Sequence, residues 1–67
     1  MLNDPIVRVV TARRRPDLAP VWLTEDDLWT TSPEQAERLT DDAVADVRLF
    51  DAMARRDEVC CATLQDA

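Results

Sequence analysis

The sequence predicts a small single α+β domain, in which an N-terminal β-hairpin is followed by a short helix and one long amphipathic helix at about residues 33–58. Two short apolar runs near the N-terminus predict the hairpin, and a capped segment of helical periodicity in the second half predicts the long helix. The length of 67 residues fits one domain spanning 1–67. Flexible ends are expected at residues 1–4 and 62–67.

The first strand is predicted at residues 6–11, where β-branched side chains dominate. An arginine triplet and Pro16 end it, and Pro16 also biases Arg15 toward an extended conformation. A second short apolar run at residues 21–23 predicts the partner strand. We therefore expect a hairpin from residue 6 to residue 23 with an irregular connection.

A short helix is predicted to begin at Thr24 and to end near Thr30. Thr24 is a good N-cap, and Asp27 stands three residues later, where a capping box has its acidic partner. Trp22 and Trp29 are predicted to fill the core. The alternative is that Trp29, beside three acidic residues, is exposed and docks a protein partner.

The long helix is predicted from Ser32 as N-cap, Pro33 at the first helical position and Gln35 as the capping-box partner. An apolar stripe of helical spacing follows and is predicted to face the core, with a surplus beyond what the fold can easily cover that points toward a partner; it consists of Ala36, Leu39, Ala43, Val47, Phe50 and Ala54. A new helix capped at residues 40–42 is the alternative, but the stripe stays in phase across Thr40, which favours continuity. A helix of about 25 residues would be about 38 Å long, so we expect it to overhang the domain and pack on a second copy or another partner.

Missing residue types exclude several function classes. The chain has no Gly, so it lacks phosphate-binding glycine loops and a nucleophile elbow. It has no His, which removes the usual general base near neutral pH and the commonest transition-metal ligand. We therefore expect no enzyme, no catalytic residues, no cofactor and no metal.

The adjacent Cys60 and Cys61 have several interpretations. They could form a redox pair, half of a metal site completed by a second chain, or an intermolecular bridge. The favoured interpretation is two small apolar residues that stay reduced. The chain shows no signal peptide and no apolar run of membrane-spanning length, so a cytoplasmic protein without membrane contact is expected. The exclusive use of Arg and the abundance of Ala, Asp and Val indicate a bacterial or phage genome of high GC content.

The charge is divided unevenly, with a net charge of +2 over residues 1–20 and −8 over residues 21–67. This acidic balance favours a protein partner with a basic surface and makes nucleic acid an unlikely ligand. The sequence therefore predicts a small acidic protein–protein interaction module, of the accessory, inhibitor or antitoxin-like regulatory kind. It would bind a partner, or itself as a homodimer, through the long helix and an acidic face. The predicted partner-binding residues are Trp29, Glu37, Asp41, Asp42, Asp46, Leu49 and Met53.

The alternative function is a DNA-binding transcriptional regulator. The order of strand, short helix and long helix loosely resembles that of ribbon-helix-helix regulators, which read the major groove with paired strands. This resemblance implies a nucleic-acid-binding role for Arg8, Arg13, Arg14 and Arg15. Pro16 and Pro20 depart from the pattern, because they stand where the first helix should begin. A structural subunit of a larger enzyme or particle is a third class.

Overall fold

The computed structural model describes residues 7–67, which form a four-stranded antiparallel sheet and one α-helix. The strands are β1 (Arg8–Arg14), β2 (Ala19–Leu23), β3 (Trp29–Thr30) and β4 (Val59–Asp66), and the helix α1 spans Asp42–Met53. The order across the sheet is β3-β2-β1-β4, so β1 is internal and β4 forms one edge. The chain is α+β, but the predicted layout of a hairpin followed by a short and a long helix is wrong.

Only one of the two predicted flexible ends lies within the described residues. The flexible end expected at residues 1–4 lies outside the described residues. At the other end, residues 62–66 belong to β4, which pairs with β1 from Arg8 opposite Asp66 to Arg14 opposite Val59. The last strand along the chain therefore completes the sheet next to the first one.

The first hairpin joins β1 and β2, which pair Thr11 with Trp22 and Arg14 with Ala19. The β-branched residues of β1 suit a half-buried pleated surface. The connecting turn contains a cis Arg15–Pro16 peptide bond.

The core lies between the sheet and α1. One cluster of buried residues consists of Val10, Leu23, Leu39, Ala45 and Ala52, and a second consists of Ala12, Val21 and Val59. Trp29 is half-buried and packs against both clusters, as does Ala62. Of these buried residues α1 supplies only two alanines, so it contributes little apolar surface to the core.

The short helix predicted from Thr24 is wrong, because these residues form the turn between β2 and β3. The Thr24 hydroxyl accepts hydrogen bonds from the backbone N–H groups of Asp26 (3.3 Å) and Leu28 (3.1 Å). The Thr24 backbone N–H donates to the Leu28 carbonyl at 2.8 Å. A threonine hydroxyl closes such a turn by the same hydrogen bonds with which it caps a helix, so the sequence pattern does not separate the two.

The long helix predicted at residues 33–58 is also wrong. Pro33–Gln35 makes a single 3-10 turn, and the Ser32 hydroxyl does not cap it. The hydroxyl donates instead to Glu34 Oε1 at 3.0 Å, and Gln35 Oε1 accepts from the Thr30 hydroxyl at 2.9 Å. Both side chains of the predicted capping box are therefore engaged elsewhere.

Backbone pairing with the sheet holds the following residues in an extended conformation. The Glu37 N–H donates to the Leu23 carbonyl at 3.0 Å, and Leu39 exchanges two backbone hydrogen bonds with Arg8, at 2.9 and 2.8 Å. The helix begins only beyond Thr40, with Asp41 as N-cap. Asp41 Oδ1 accepts hydrogen bonds from the backbone N–H groups of Ala43 at 2.8 Å and Val44 at 3.3 Å.

The Arg48 side chain connects α1 to the neighbouring loops by hydrogen bonds and ion pairs, and it is only 16% exposed. Its guanidinium contacts Asp27 (2.6 Å), Glu37 (2.9 Å) and Asp51 (3.4 Å), and its Nη2 donates to the Thr24 carbonyl at 3.1 Å. Burial disfavours the charged form, but the hydrogen bond to Asp27 and the charges of Glu37 and Asp27 outweigh it and raise the pKa of Arg48 above its ordinary value. The arginine therefore holds the β2–β3 turn and Glu37 against one face of the helix.

Replacing the helix cap tests the observed start of α1. We expect Asp41→Ala to lower the free energy of unfolding by about 1 kcal/mol, because two backbone N–H groups lose their acceptor. The measurement is urea denaturation followed by far-UV circular dichroism. Asp46→Ala is the matched control within α1 and should change stability by less. Equal effects of the two substitutions would contradict a helix that begins after Thr40.

Removing the guanidinium tests the role of Arg48. We expect Arg48→Met to lower the free energy of unfolding by about 2 kcal/mol, because Glu37 keeps its charge and loses its partner and Asp27 loses the nearer of its two arginine partners. Urea denaturation at neutral pH measures the change. The control is Arg38→Met at an exposed arginine. A loss no larger than that of the control would show that the Arg48 contacts do not hold α1.

Candidate functional site

The outer face of α1 carries a row of exposed apolar side chains, here called the outer stripe: Val44, Val47, Phe50 and Met53. Their exposed fractions are 46%, 64%, 72% and 51%. Phe50 is the only phenylalanine of the chain. Isolated exposed apolar residues are ordinary, but four at a spacing of three along one helix form a contiguous patch. The outer stripe is therefore a candidate contact surface.

The prediction that Val47 and Phe50 face the core is wrong. Ala36 and Leu39, the first members of the predicted stripe, are buried but precede α1. The helix has apolar residues on both faces, so their periodicity does not decide which face contacts the sheet. The alanine face lies on the sheet, and the larger side chains face outward.

The border of the outer stripe is acidic except beside Met53, where Arg15 and Arg56 lie. Asp42 and Asp46 are exposed on one side of it. On the other side Asp51 lies 3.4 Å from Arg48 and 3.8 Å from Arg55. Arg48 is the only basic residue within α1, and its contacts with the loops occupy it. A partner that covers the stripe therefore meets carboxylates at the edge.

The partner-binding residues predicted from the sequence lie in two environments. Asp41, Asp42, Asp46 and Met53 are exposed at the start of α1 or along it. Leu49 is half-buried at the edge of the helix. Trp29 and Glu37 take part in contacts of the fold: the Trp29 indole N–H donates to Glu58 Oε1 at 2.9 Å, and Glu37 pairs with Arg48. Sequence reasoning missed the two most exposed members of the stripe because it assigned them to the core.

Two of the four predicted nucleic-acid-binding arginines pair with the chain's own carboxylates. Arg8 lies 3.7 Å from both Asp42 and Asp66. Arg14 donates to both carboxylate oxygens of Asp17, at 3.3 and 2.8 Å. This hydrogen bonding lowers the pKa of Asp17 below its ordinary value and raises that of Arg14. These pairs reduce the positive charge that the first residues present.

The ribbon-helix-helix layout implied by the resemblance is wrong, because β1 already has a neighbour on each side. A paired ribbon between two copies would need a free edge on that strand. DNA binding by Arg8 and the arginine triplet stays a prediction. Of the triplet, Arg13 and Arg15 lie near the two cysteines.

A β-bulge in β4 places the cysteines. β1 and β4 pair Thr11 with Thr63 and Arg13 with Cys60, so two residues of β4 face one residue of β1. Cys61 lies in this bulge with a φ of 63°. This left-handed conformation favours glycine, which the chain lacks.

The bulge brings the two thiols into contact. Cys60 Sγ and Cys61 Sγ lie 3.2 Å apart in a hydrogen bond; Cys60 is half-buried and Cys61 is exposed. The hydrogen bond with Cys61 is the main cause that raises the pKa of Cys60 above its ordinary value, burial adds to it, and the charges of Arg15 and Arg13 oppose it. A cavity of about 340 Å³ borders both thiols and is lined also by Arg15, Met53 and Arg56.

Residues 7–67 lack two further features. No group of three or more Cys, His, Asp or Glu side chains has an arrangement that could hold a metal ion. In the same part of the chain, no helix has both the length and the apolar character needed to cross a membrane.

The thiol contact predicts a shift in titration. Alkylation needs the thiolate, so a raised pKa moves the midpoint of Cys60 alkylation to higher pH. We expect Cys61→Ala to lower that midpoint toward the ordinary cysteine value, because it removes the main cause of the shift. Iodoacetamide labelling across a pH series, read by mass spectrometry of the Cys60 peptide, measures it. Thr63→Ala is the control on the same strand. An unchanged or higher midpoint in Cys61→Ala would contradict the contact.

In a comparison with known proteins, residues 8–67 match a family model described as "Protein of unknown function (DUF2849)". The match begins at the first residue of β1 and includes every strand and the helix. Neither the curated proteins nor the solved structures gave a match. Because the matched residues make up most of the chain, this protein belongs to the DUF2849 family.

Proposed function

We propose that this protein is a small acidic interaction module that binds a basic protein partner through the outer stripe. The observation that carries the proposal is the exposure of Phe50, 72%, at the centre of an apolar row on the helix. Fully burying a side chain of this kind contributes about 1.5–3 kcal/mol. Aromatic residues in this central position are frequent anchors of protein interfaces.

The charge of the surface selects the partner. Asp42 and Asp46 border the stripe, and the whole chain has a net charge of −6. A second copy would bring two acidic borders together, whereas an apolar groove edged by Lys and Arg complements them. The homodimer predicted from the sequence is therefore the competing occupant of the same surface.

The outer stripe lies on one face of a regular helix, which suits binding in a groove of a partner. Amphipathic helices commonly dock by laying an apolar face into a groove of the partner. On the face of α1 away from the outer stripe, Arg48 contacts Asp27 and Glu37 and so holds the helix in place before a partner binds. This limits the entropy that is lost when the helix is ordered on association. The proposed role is that of an accessory, inhibitory or antitoxin-like regulatory protein. The proposal includes a cytoplasmic location, which two unpaired thiols support, because disulfides persist mainly in oxidising compartments.

Binding of designed peptides tests the proposed partner chemistry. The probe is a labelled amphipathic helical peptide with a leucine stripe bordered by lysines, compared with the same peptide bordered by glutamates. We expect the lysine peptide alone to bind, with an affinity that falls as salt is added. Phe50→Ala should weaken binding by about thirtyfold or more, the loss of a central anchor. Fluorescence anisotropy measures both effects.

The control is Leu28→Ala, which removes an exposed apolar side chain, 63% accessible, in the β2–β3 turn and outside the outer stripe. It should leave peptide binding unchanged. Equal binding of the two peptides, or equal effects of Phe50→Ala and Leu28→Ala, would refute the proposal. Sedimentation velocity provides the other decisive outcome: a dimer that Phe50→Ala converts to monomer would assign the stripe to a second copy.

A further inference from the structure

We propose that Cys60 and Cys61 form a thiol–disulfide exchange site for an anionic low-molecular-weight disulfide of the glutathione type. The site lies on β4 beside the cavity of about 340 Å³. It does not depend on the partner proposed for the outer stripe.

The first support is the backbone of β4. Successive side chains of a regular strand point to opposite faces, which would separate two adjacent thiols. The bulge and the φ of 63° at Cys61 bring both sulfur atoms to a distance of 3.2 Å. Non-glycine residues in this conformation are unfavourable, and such residues cluster at functional sites.

The second support is the different exposure of the two thiols, which gives them separate roles. Cys61 is exposed, so its thiolate attacks one sulfur of the disulfide, forms a mixed disulfide and releases the other half as a thiolate. Cys60, adjacent and half-buried, then attacks the Cys61 sulfur and releases the second half. The two protein thiols lose two electrons and two protons, and the small disulfide gains them to become two thiols. The product is a disulfide between Cys60 and Cys61.

The third support is the charge of the surrounding cavities. Arg15 and Arg56 line the larger cavity beside both thiols. Cys61 also borders a second cavity of about 220 Å³, which Arg13 and Trp22 line. A disulfide attacked at Cys61 therefore has space for one half on each side and arginines on both sides. In a chain of net charge −6 these cations favour a substrate with carboxylates.

The test follows the reduced protein with oxidised glutathione by intact-mass spectrometry after acid quenching. We expect the wild type to pass through a glutathione adduct and end as an intramolecular disulfide, lighter by two hydrogens. Cys60→Ser should stop at the adduct on Cys61, because its resolving thiol is missing. Cys61→Ser should form adduct at least about tenfold more slowly, since the remaining thiol is less exposed.

The role of the arginines is tested with a second probe, the uncharged disulfide of mercaptoethanol. The double substitution Arg15→Gln with Arg56→Gln should slow formation of the first adduct on Cys61 with oxidised glutathione by about threefold or more and leave formation of that adduct with the neutral probe unchanged. Arg38→Gln, at an exposed arginine that lines neither cavity, is the control, and circular dichroism confirms folding of each variant. Stable adducts on both cysteines of the wild type, or dimers linked by disulfides, would overturn the resolving role of Cys60. Equal slowing with both probes would overturn selection of an anionic disulfide.

Discussion

The orientation of α1 depends on the polar contacts of Arg48. Apolar burial alone would favour turning Phe50 toward the sheet, because Ala45 and Ala52 bury little area. Such a rotation would separate Arg48 from Asp27 and Glu37 and leave the half-buried carboxylate of Glu37 without its partner, a cost that opposes the gain from burying Phe50. The ion pairs on one face of the helix therefore keep the aromatic residue on the other.

The same orientation brings the two candidate sites next to each other. Met53 belongs to the outer stripe and also lines the cavity beside the thiols. The C-terminal turn of α1 thus borders both the apolar surface and the cysteines of β4. A partner bound over this end of the helix would restrict the access of a small disulfide to Cys61. Partner binding at the outer stripe would therefore lower the rate at which Cys61 reacts.

The sequence allowed some elements to be predicted and left others hidden, for identifiable reasons. The β-branched run of β1 indicated a strand correctly, because that preference is local. The capping pattern at Ser32 predicted a long helix wrongly. The Ser32 side chain forms a hydrogen bond within a 3-10 turn, and the backbone that follows pairs with the sheet at Leu39. The strand β4 was missed, since its stability comes from pairing with β1, far away in the chain. Of the exposed surface, Asp46 and Met53 were predicted, whereas Phe50 was assigned to the core by a periodicity that fits either face.

Because the chain has no glycine, the positive φ at residue 61 is adopted by a residue that carries a side chain, Cys61. Three described residues have a positive φ: Leu18, Asp27 and Cys61. The first two lie in the turns that join β1 to β2 and β2 to β3, where several turn types use such a conformation. Cys61 lies inside a strand, where no reversal occurs. Its conformation instead serves the bulge, and the result of the bulge is the contact between two thiols that a regular strand would keep apart.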